Sequence, residues 1–121
     1  MAYEVSLQTI SVPASADLST KQFQFGTINA SGQVAVVGAG LASDGVIALG
    51  ANAQGRPCAL ASFPGQIARV MAGASFANGA LLEADANGKA ITQSSGKILA
   101  KALAAAGAAG DIVPVLLILQ R

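Results

Sequence analysis

The sequence predicts an all-β domain, built as a small β-sandwich or barrel with at most one short helix. Glycine-containing turn signals recur at short spacing from residue 31 onward, and short apolar runs lie between them. A pattern of apolar stretch, Ala/Gly connector and second apolar stretch occurs twice, at residues 45–60 and 97–119. Many short strands joined by tight turns are typical of sandwiches and small barrels.

Residues 1–30 differ from the rest of the chain and predict an extended N-terminal arm, followed by a β-rich domain over residues 31–121. Residues 3–10 alternate apolar and polar side chains with period two, which is typical of a half-buried strand. Residues 22–25 alternate again, which would place both phenylalanines of this segment on one face. Such an arm can pair with another chain by strand addition. The alternative is that both segments are edge strands of the domain's own sheet.

Short apolar runs between turns predict the strands that follow the arm. The first six are residues 34–37, 46–49, 58–60, 67–71, 80–82 and 90–92. The Asn-Gly pairs at 78–79 and 87–88 are strong turn signals, because both central residues of a type I′ turn need φ above zero. The alanine-rich segment 98–106 predicts a strand to about Ala102 and then a short helical turn. Pro114 interrupts the last apolar run and predicts an edge strand or a β-bulge there.

The composition predicts a thin core and a protein that associates with itself or with a partner. Alanine accounts for 27 of the 121 residues, whereas the chain has five aromatic side chains and no tryptophan. Each alanine adds little apolar area to a core, and burial stabilises by about 25 cal/mol per Å². A surface of small side chains with few charges is also easily covered by another protein. We therefore expect an oligomer or a partner-bound protein.

Charge and hydropathy argue against two classes of partner. The seven basic residues are scattered singly and nearly balanced by six acidic ones, whereas nucleic-acid binding uses clustered cations. The longest strongly apolar run, residues 112–119, is far shorter than the ~20 residues that span a bilayer, and the N-terminus has no signal-peptide pattern. We therefore expect a soluble protein made in the cytoplasm, with neither nucleic acid nor membrane as partner. The single cysteine, Cys58, is expected to be buried and inert.

No arrangement of side chains in the sequence predicts catalysis, a metal or a cofactor. The chain has no histidine and one cysteine, so His/Cys metal sites and the usual general base are missing. Glu83 and Asp85 would share a strand face, but no aromatic sugar platform accompanies them. The Gly-x-Gly at residues 38–40 and the Ser-Gly-Lys at 95–97 lack the remaining positions of phosphate-binding loops. We expect a non-enzymatic protein that acts through its surface.

A series of short motifs lies within residues 46–119. It includes Ala72-Gly-Ala74, Asn78-Gly79, Leu81-Leu-Glu-Ala-Asp-Ala-Asn-Gly-Lys-Ala90, Ala100-Lys-Ala-Leu103, Ala109-Gly-Asp111 and the apolar run 113–119. This series resembles the bacteriophage head decoration, or capsid cement, proteins, although Ala100 and Asp111 replace the glycine and glutamate usual there. The resemblance implies a small β-rich fold, commonly trimeric, that binds the outer face of a capsid and bridges neighbouring major-capsid subunits.

The function expected from this resemblance is that of a structural virion protein on the capsid surface, synthesised in the host cytoplasm. Its partners would be the major capsid protein and further copies of itself, as a homotrimer. The candidate capsid-contact residues are Tyr3, Val5, Leu7, Phe23 and Phe25, although the two phenylalanines could instead fill the core. An alternative function is a small β-barrel binding module, from an adhesion or tail accessory domain, that recognises a peptide or carbohydrate. A third is an enzyme subunit that contributes no catalytic groups.

Overall fold

The computed structural model describes residues 8–121, which form ten β-strands and no helix. The all-β prediction is confirmed, whereas the segment after β9 lacks the short helical turn expected there. The strands are β1 (Thr9–Pro13), β2 (Phe25–Ile28), β3 (Val34–Val36), β4 (Gly45–Leu49), β5 (Pro57–Ala61), β6 (Ile67–Met71), β7 (Leu81–Ala84), β8 (Ala90–Thr92), β9 (Ala100–Ala102) and β10 (Ile112–Leu117).

The two halves of the chain form two five-stranded antiparallel sheets with the same strand order. The order is β1-β5-β4-β2-β3 in the first sheet and β6-β10-β9-β7-β8 in the second. Replacing each strand of the first sheet by the strand five places later in the chain gives the second order. The molecule therefore consists of two equivalent units, the first unit (β1–β5) and the second unit (β6–β10). The pattern repeated in the sequence corresponds to the strand pairs β4–β5 and β9–β10, one in each unit.

Equivalent turns in the two units are built by the same hydrogen bonds. In the first unit, Oδ1 of Asn29 accepts hydrogen bonds of 3.0 Å from the backbone N–H groups two and four residues later. In the second unit, Oδ1 of Asp85 accepts the corresponding pair at 2.8 and 2.9 Å. Gly32 and Gly88 occupy the same left-handed position in these turns, with φ of 75° and 76°. A short polar side chain and a glycine thus define each turn.

Each sheet curls so that its two edges meet at one end, while the rest of the β1 edge stays unpaired. An isolated parallel bridge joins Ala14, just after the edge strand β1, to Val34 in the opposite edge strand β3. The matching bridge in the second unit joins Ala72 to Ala90. The inside of the first curled sheet is filled by small and medium apolar side chains from Ala14, Leu18, Val34, Ile47, Ala51, Cys58 and Leu60. Cys58 is thus buried as predicted, and this burial raises the pKa of its thiol.

A second, larger core joins the two units. It combines apolar side chains of the second unit with Phe25, Val37, Val46 and Ala61 of the first unit. Phe25 and Val46 face away from the first core, because side chains alternate along a strand and Ile47 points into that core. The second unit therefore covers part of the outer face of the first sheet.

Within the described residues, the predicted N-terminal arm belongs to the first sheet. β1 is an edge strand of that sheet, whereas β2 lies between β4 and β3. Residues 8–30 therefore fit the alternative interpretation of strands in the domain's own sheet, with β1 at its edge. Residues 1–7, which include three of the candidate contact residues, lie outside the described part of the chain.

Phe23 and Phe25 do not share a strand face, so this prediction was wrong. β2 begins only at Phe25, and Phe23 precedes it in a turn with a left-handed φ of 68°. The backbone N–H of Phe23 donates to the carbonyl of Ile47 at 2.7 Å, and its carbonyl accepts from the N–H of Met71 at 2.8 Å. These tertiary hydrogen bonds hold a turn where the alternating pattern favoured a strand.

The prediction of an edge strand or bulge at Pro114 was also wrong. β10 lies between β6 and β9, and its register with β6 is unbroken from Ile112 to Leu116. The carbonyl of Pro114 accepts a hydrogen bond from Leu103 at 3.0 Å, on the β9 side of the strand. The nitrogen of a strand residue points to the same side as its carbonyl. The nitrogen of Pro114, which has no hydrogen to donate, therefore also faces the β9 side. The last paired residue of β9 at this end is Ala102, opposite Val115, so the missing N–H lies one residue beyond the β9 pairing, where proline is tolerated.

Candidate functional site

The candidate functional features of this molecule lie on its surface and between its two units. Over residues 8–121, no cavity is found, and no group of three His, Cys, Asp or Glu side chains could hold a metal ion. The same residues contain no helix that could span a membrane.

The two carboxylates that the sequence placed on one strand face have separate structural tasks. Glu83 in β7 is only 6% exposed and accepts hydrogen bonds from the backbone N–H of Ser94 at 2.6 Å and from its hydroxyl at 3.1 Å. Asp85 follows β7 and caps the next turn. The N–H donated by Ser94 is the main reason that the pKa of Glu83 lies below its usual value, although burial opposes the shift.

Glu83 lies at a close contact between the two units. A Cβ on Gly96 would lie 2.3 Å from Oε2 of Glu83 and 2.5 Å from Cα of Gly40 in the first unit. The backbone N–H of Gly40 donates to Ala84 at 3.0 Å, and its carbonyl accepts from Lys97 at the same distance. On the other side, Gly40 has a left-handed φ of 68°, and a Cβ there would lie 3.3 Å from Cα of Gly96, so glycine is favoured at both positions.

The outer face of the second sheet is apolar and partly exposed. Along β10, Val113, Val115 and Leu117 are buried, whereas the alternate residues point outward, and Ile112 is 46% exposed. β10 is therefore apolar on both faces, as in strands that are covered on both sides. The charged side chains on β6, β9 and β10 are both basic, Arg69 and Lys101.

One line of side chains crosses this face, and we call it the open row. Leu81 in β7 pairs with Lys101 in β9, Lys101 pairs with Leu116 in β10, and Leu116 pairs with Ile67 in β6. Partners in register place their side chains on the same face of a sheet. Leu81 is 40% exposed and Lys101 is exposed, whereas Leu116 and Ile67 are half-buried. Sequence reasoning missed this row, although the continuous apolar run of β10 was a signal for a strand covered on both faces.

The five candidate contact residues have different positions in the structure. Tyr3, Val5 and Leu7 lie outside the described residues. Phe25 is 0% exposed and fills the core between the units, which was the alternative that the sequence left open. Phe23 is partly exposed in its turn. The structure therefore does not bring Phe23 and Phe25 together on one accessible surface.

Phe23 occupies a position that the second unit gives to a glycine. The backbone N–H of Phe23 donates to Ile47 in β4, and the N–H of Gly79 donates to Ala102 in the equivalent strand β9, at 2.9 Å. Their φ angles are 68° and 84°. A left-handed backbone is ordinary for glycine and unfavourable for a bulky residue. Such local strain is found preferentially at functional sites.

Comparison with known proteins agrees with this fold and with the motifs in the sequence. The solved structure of the head fiber gp8.5 N base of bacteriophage phi29 is similar, with a TM-score of 0.75 over 96% of this chain and 98% of that chain. At 14% identity, this similarity shows a shared fold. No curated protein sequence matches significantly. A family model for phage cement protein matches residues 9–117, and the chain therefore belongs to the phage cement protein family of virion structural proteins.

Proposed function

We propose that this protein binds the outer surface of a phage capsid and cements neighbouring major-capsid subunits. The observation that carries the proposal is the family match over nearly the whole described chain, residues 9–117. A cement protein acts through contact area multiplied by the symmetry of the shell, so many weak contacts give high avidity. The formal net charge of +1 suits this role, because many copies on one shell would repel one another little.

The first proposed capsid contact is the free edge of β1 together with residues 1–7. β1 pairs with β5 on one side only, and Ser11 and Thr9 are exposed. An edge strand offers unpaired N–H and C=O groups to which a strand of another protein can add. Tyr3, Val5 and Leu7 directly precede this edge and would supply apolar side chains to the same partner.

Phe23 is the second proposed contact. Its left-handed backbone is unfavourable for phenylalanine, and Gly79 shows that the equivalent turn forms without a side chain. Contact with a partner would explain a partly exposed phenylalanine at this position. Phe25 is left out of the proposed contact, because its side chain has no accessible surface in the folded chain.

The finer features of the proposed function concern partners and location. The major capsid protein is the proposed partner, and the proposed oligomer is a homotrimer on the capsid surface. The protein would be synthesised in the host cytoplasm and added to the shell there. Bridging of neighbouring subunits would resist the internal pressure of packaged DNA.

Co-sedimentation with undecorated heads tests capsid binding and the N-terminal contact together. The full chain should bind saturably, and the triple variant Tyr3→Ser, Val5→Ser, Leu7→Ser should bind at least about tenfold more weakly, a loss of about 1.4 kcal/mol. The matched control changes the intervening polar residues, Glu4→Ala and Ser6→Ala, and should bind like the full chain. Equal binding of the triple variant would contradict the N-terminal contact. Absence of binding by the full chain would contradict the capsid proposal itself.

A further inference from the structure

The join between the two units has a loop side and a turn side, which we name after the segments that meet there. On the loop side, the loop between β3 and β4 meets its counterpart between β8 and β9. The backbone N–H of Lys97 donates to the carbonyl of Gly40, and the N–H of Gly40 donates to Ala84, both at 3.0 Å. On the turn side, the N–H of Met71 donates to the carbonyl of Phe23 at 2.8 Å. Backbone hydrogen bonds therefore contribute to both sides.

The turn side is closely packed. The N–H of Phe25 donates to the carbonyl of Gly88, in the turn between β7 and β8, at 2.7 Å. A Cβ on Gly88 would lie 2.6 Å from Cγ1 of Val36 and 2.9 Å from the carbonyl oxygen of Phe25. Phe25 and its partners along the sheet, Val46 in β4 and Ala61 in β5, are at most 1% exposed. Close packing as well as hydrogen bonds therefore holds this side together.

Residues 118–121 follow β10 and contact both loops of the loop side, and we call them the strap. The N–H of Leu119 donates to the carbonyl of Leu99 at 2.9 Å. Gln120 pairs with Ile98 twice, because its N–H donates to the carbonyl and its Oε1 accepts from the N–H, both at 2.9 Å. These bonds attach the strap to the loop of its own unit, between β8 and β9.

The end of the strap reaches the first unit. Nη1 of Arg121 lies 2.5 Å from Oδ1 of Asp44, in the loop between β3 and β4. Oδ2 of the same carboxylate accepts hydrogen bonds from the hydroxyl of Thr27 at 3.0 Å and from the N–H of Ile28 at 2.7 Å, both in β2. Because β2 holds this carboxylate in place, the ion pair attaches the strap to the first unit as well. The strap thus connects the two loops that meet on the loop side.

The strap keeps a backbone conformation that is unfavourable by itself. Leu119 has a left-handed φ of 54°, yet its side chain is only 6% exposed and belongs to the core shared by the two units. A bulky residue keeps such a backbone only where surrounding contacts hold it. The ion pair at the end of the strap is open to water, since the Arg121 side chain is 69% exposed, and salt therefore weakens it. A strained segment thus ends in a contact that is easily broken.

We propose that the strap holds the loop side of the join shut, and that release of Arg121 from Asp44 opens the loop side while the turn side stays closed. Without the ion pair, Leu119 relaxes toward an ordinary backbone conformation, and the two loops lose the link between them. The two units then change their relative angle without separating, because the turn side acts as the hinge. This device lies within one chain and does not depend on capsid binding.

Hydrogen exchange at individual backbone amides of the purified protein tests this opening, because a protected amide exchanges when its hydrogen bond opens. In Arg121→Ala, the amides of Gly40 and Lys97 on the loop side should exchange about fivefold faster than in the wild type, the loss expected for one partly exposed ion pair. The amides of Met71 and Phe25 on the turn side should exchange at the wild-type rate.

The control for this measurement is Arg56→Ala, at an exposed arginine just before β5, and it should leave all four amides unchanged. Salt gives an independent test of the ion pair. In the wild type, about 1 M sodium chloride should speed exchange at Gly40 and Lys97, because it screens the ion pair, whereas in Arg121→Ala it should have no such effect.

Asp44→Asn and a double variant complete a mutant cycle. Asp44→Asn should also speed exchange of the loop-side amides, and adding Arg121→Ala should give no further increase, because the two side chains form one contact. Wild-type exchange of the loop-side amides in Arg121→Ala, or effects that add in the double variant, would overturn the proposal. Equal acceleration of the turn-side amides would overturn it as well, because it would show a general loss of stability instead of a local opening.

Discussion

At the residue scale, a few polar side chains accept hydrogen bonds from backbone N–H groups that lie outside the sheets. Asn29 and Asp85 define equivalent turns, and Oδ2 of Asp111 accepts from the N–H groups of Gly107 and Ala108 at 2.8 and 3.2 Å in the alanine-rich connector. Glu83 does the same for the loop that touches the first unit. The acidic side chains thus hold backbone in place, which explains their position beside turns.

Acid should weaken the fold through these carboxylates. The pKa of Glu83 is lowered in the folded protein, chiefly by the N–H of Ser94. In Asp44, the N–H of Ile28 and contacts with Arg121 and Thr27 lower the pKa and outweigh the opposing effect of burial. A carboxyl whose folded pKa is depressed stabilises the fold fully above its unfolded pKa, and this contribution is lost as pH falls through the folded pKa.

Glu83→Gln tests this linkage directly. At neutral pH, the variant should lose about 1 kcal/mol of unfolding free energy, because hydrogen bonds to a charged acceptor become hydrogen bonds to a neutral one. The difference from wild type should shrink as pH falls below about 4.5, the ordinary pKa of a glutamate, through the folded value. Urea unfolding of both proteins across this range measures it. A difference that does not change with pH would contradict the role given to this carboxylate.

Phe23→Gly tests the strained turn. Removal of the side chain relieves the left-handed strain but gives the unfolded chain more freedom, so the unfolding free energy should change by less than about 1 kcal/mol. Binding to heads should weaken at least about tenfold, because a proposed contact is lost. Phe63→Gly, at a phenylalanine that is 43% exposed and outside the proposed contact, is the control and should bind normally. Normal binding by Phe23→Gly would remove this residue from the proposed contact.

At the element scale, two turns with the same backbone have different surroundings. Gly32 and Gly88 have φ of 75° and 76°, but only Gly88 is packed against the other unit. The turn between β7 and β8 is therefore part of the join between units, whereas its counterpart is free within the chain. The same substitution at Gly32 and at Gly88 therefore separates the cost of the left-handed backbone from the cost of packing.

Gly88→Ala should destabilise the chain much more than Gly32→Ala. Both add the cost of a left-handed alanine, about 1 kcal/mol, but Gly88→Ala also forces a Cβ to within 2.6 Å of Val36. Such overpacking costs a further 1–3 kcal/mol, roughly. Urea unfolding of both variants and of the wild type measures the two losses. Equal losses would contradict the packing of the second unit's turn on the first unit.

The strands were predictable where turn residues mark their ends. They were not predictable where contacts with distant residues determine the backbone conformation. Asn87-Gly88 marked a turn because its backbone needs glycine, and β6 and β8 were located correctly from the runs between turns. The turn at Phe23 could not be predicted, because backbone partners in β4 and β6 hold it. The position of Pro114 in an interior strand depends on where β9 ends, which local sequence does not encode.

The candidate site was less predictable than the fold. Phe25 was expected at a partner surface, but the second unit buries it, and only the packing of the two units shows this. Leu81 was recognised as part of a family motif, yet its 40% exposure depends on how the two units pack, which the motif does not show. The continuous apolar run of β10 was readable from the sequence, and it includes Leu116 on the outer face of the sheet.

At the scale of the whole molecule, packing of two equivalent units against each other explains how a chain with few large side chains builds a buried core. Each unit buries a small core, and the join buries a second one. The outer face of the second sheet stays partly exposed, and the free edge of β1 and Phe23 are the capsid contacts that we propose. Membership of the phage cement protein family agrees with this division of surfaces.

Electron cryomicroscopy of undecorated heads mixed with the purified protein tests whether the protein binds and bridges capsid subunits. We predict saturable occupancy of one class of symmetry-related sites, with density of the protein bridging neighbouring major-capsid subunits. The same heads should release their DNA at a higher temperature when decorated. Absence of ordered occupancy on every head form, expanded or not, would contradict the assignment of this protein as a capsid cement.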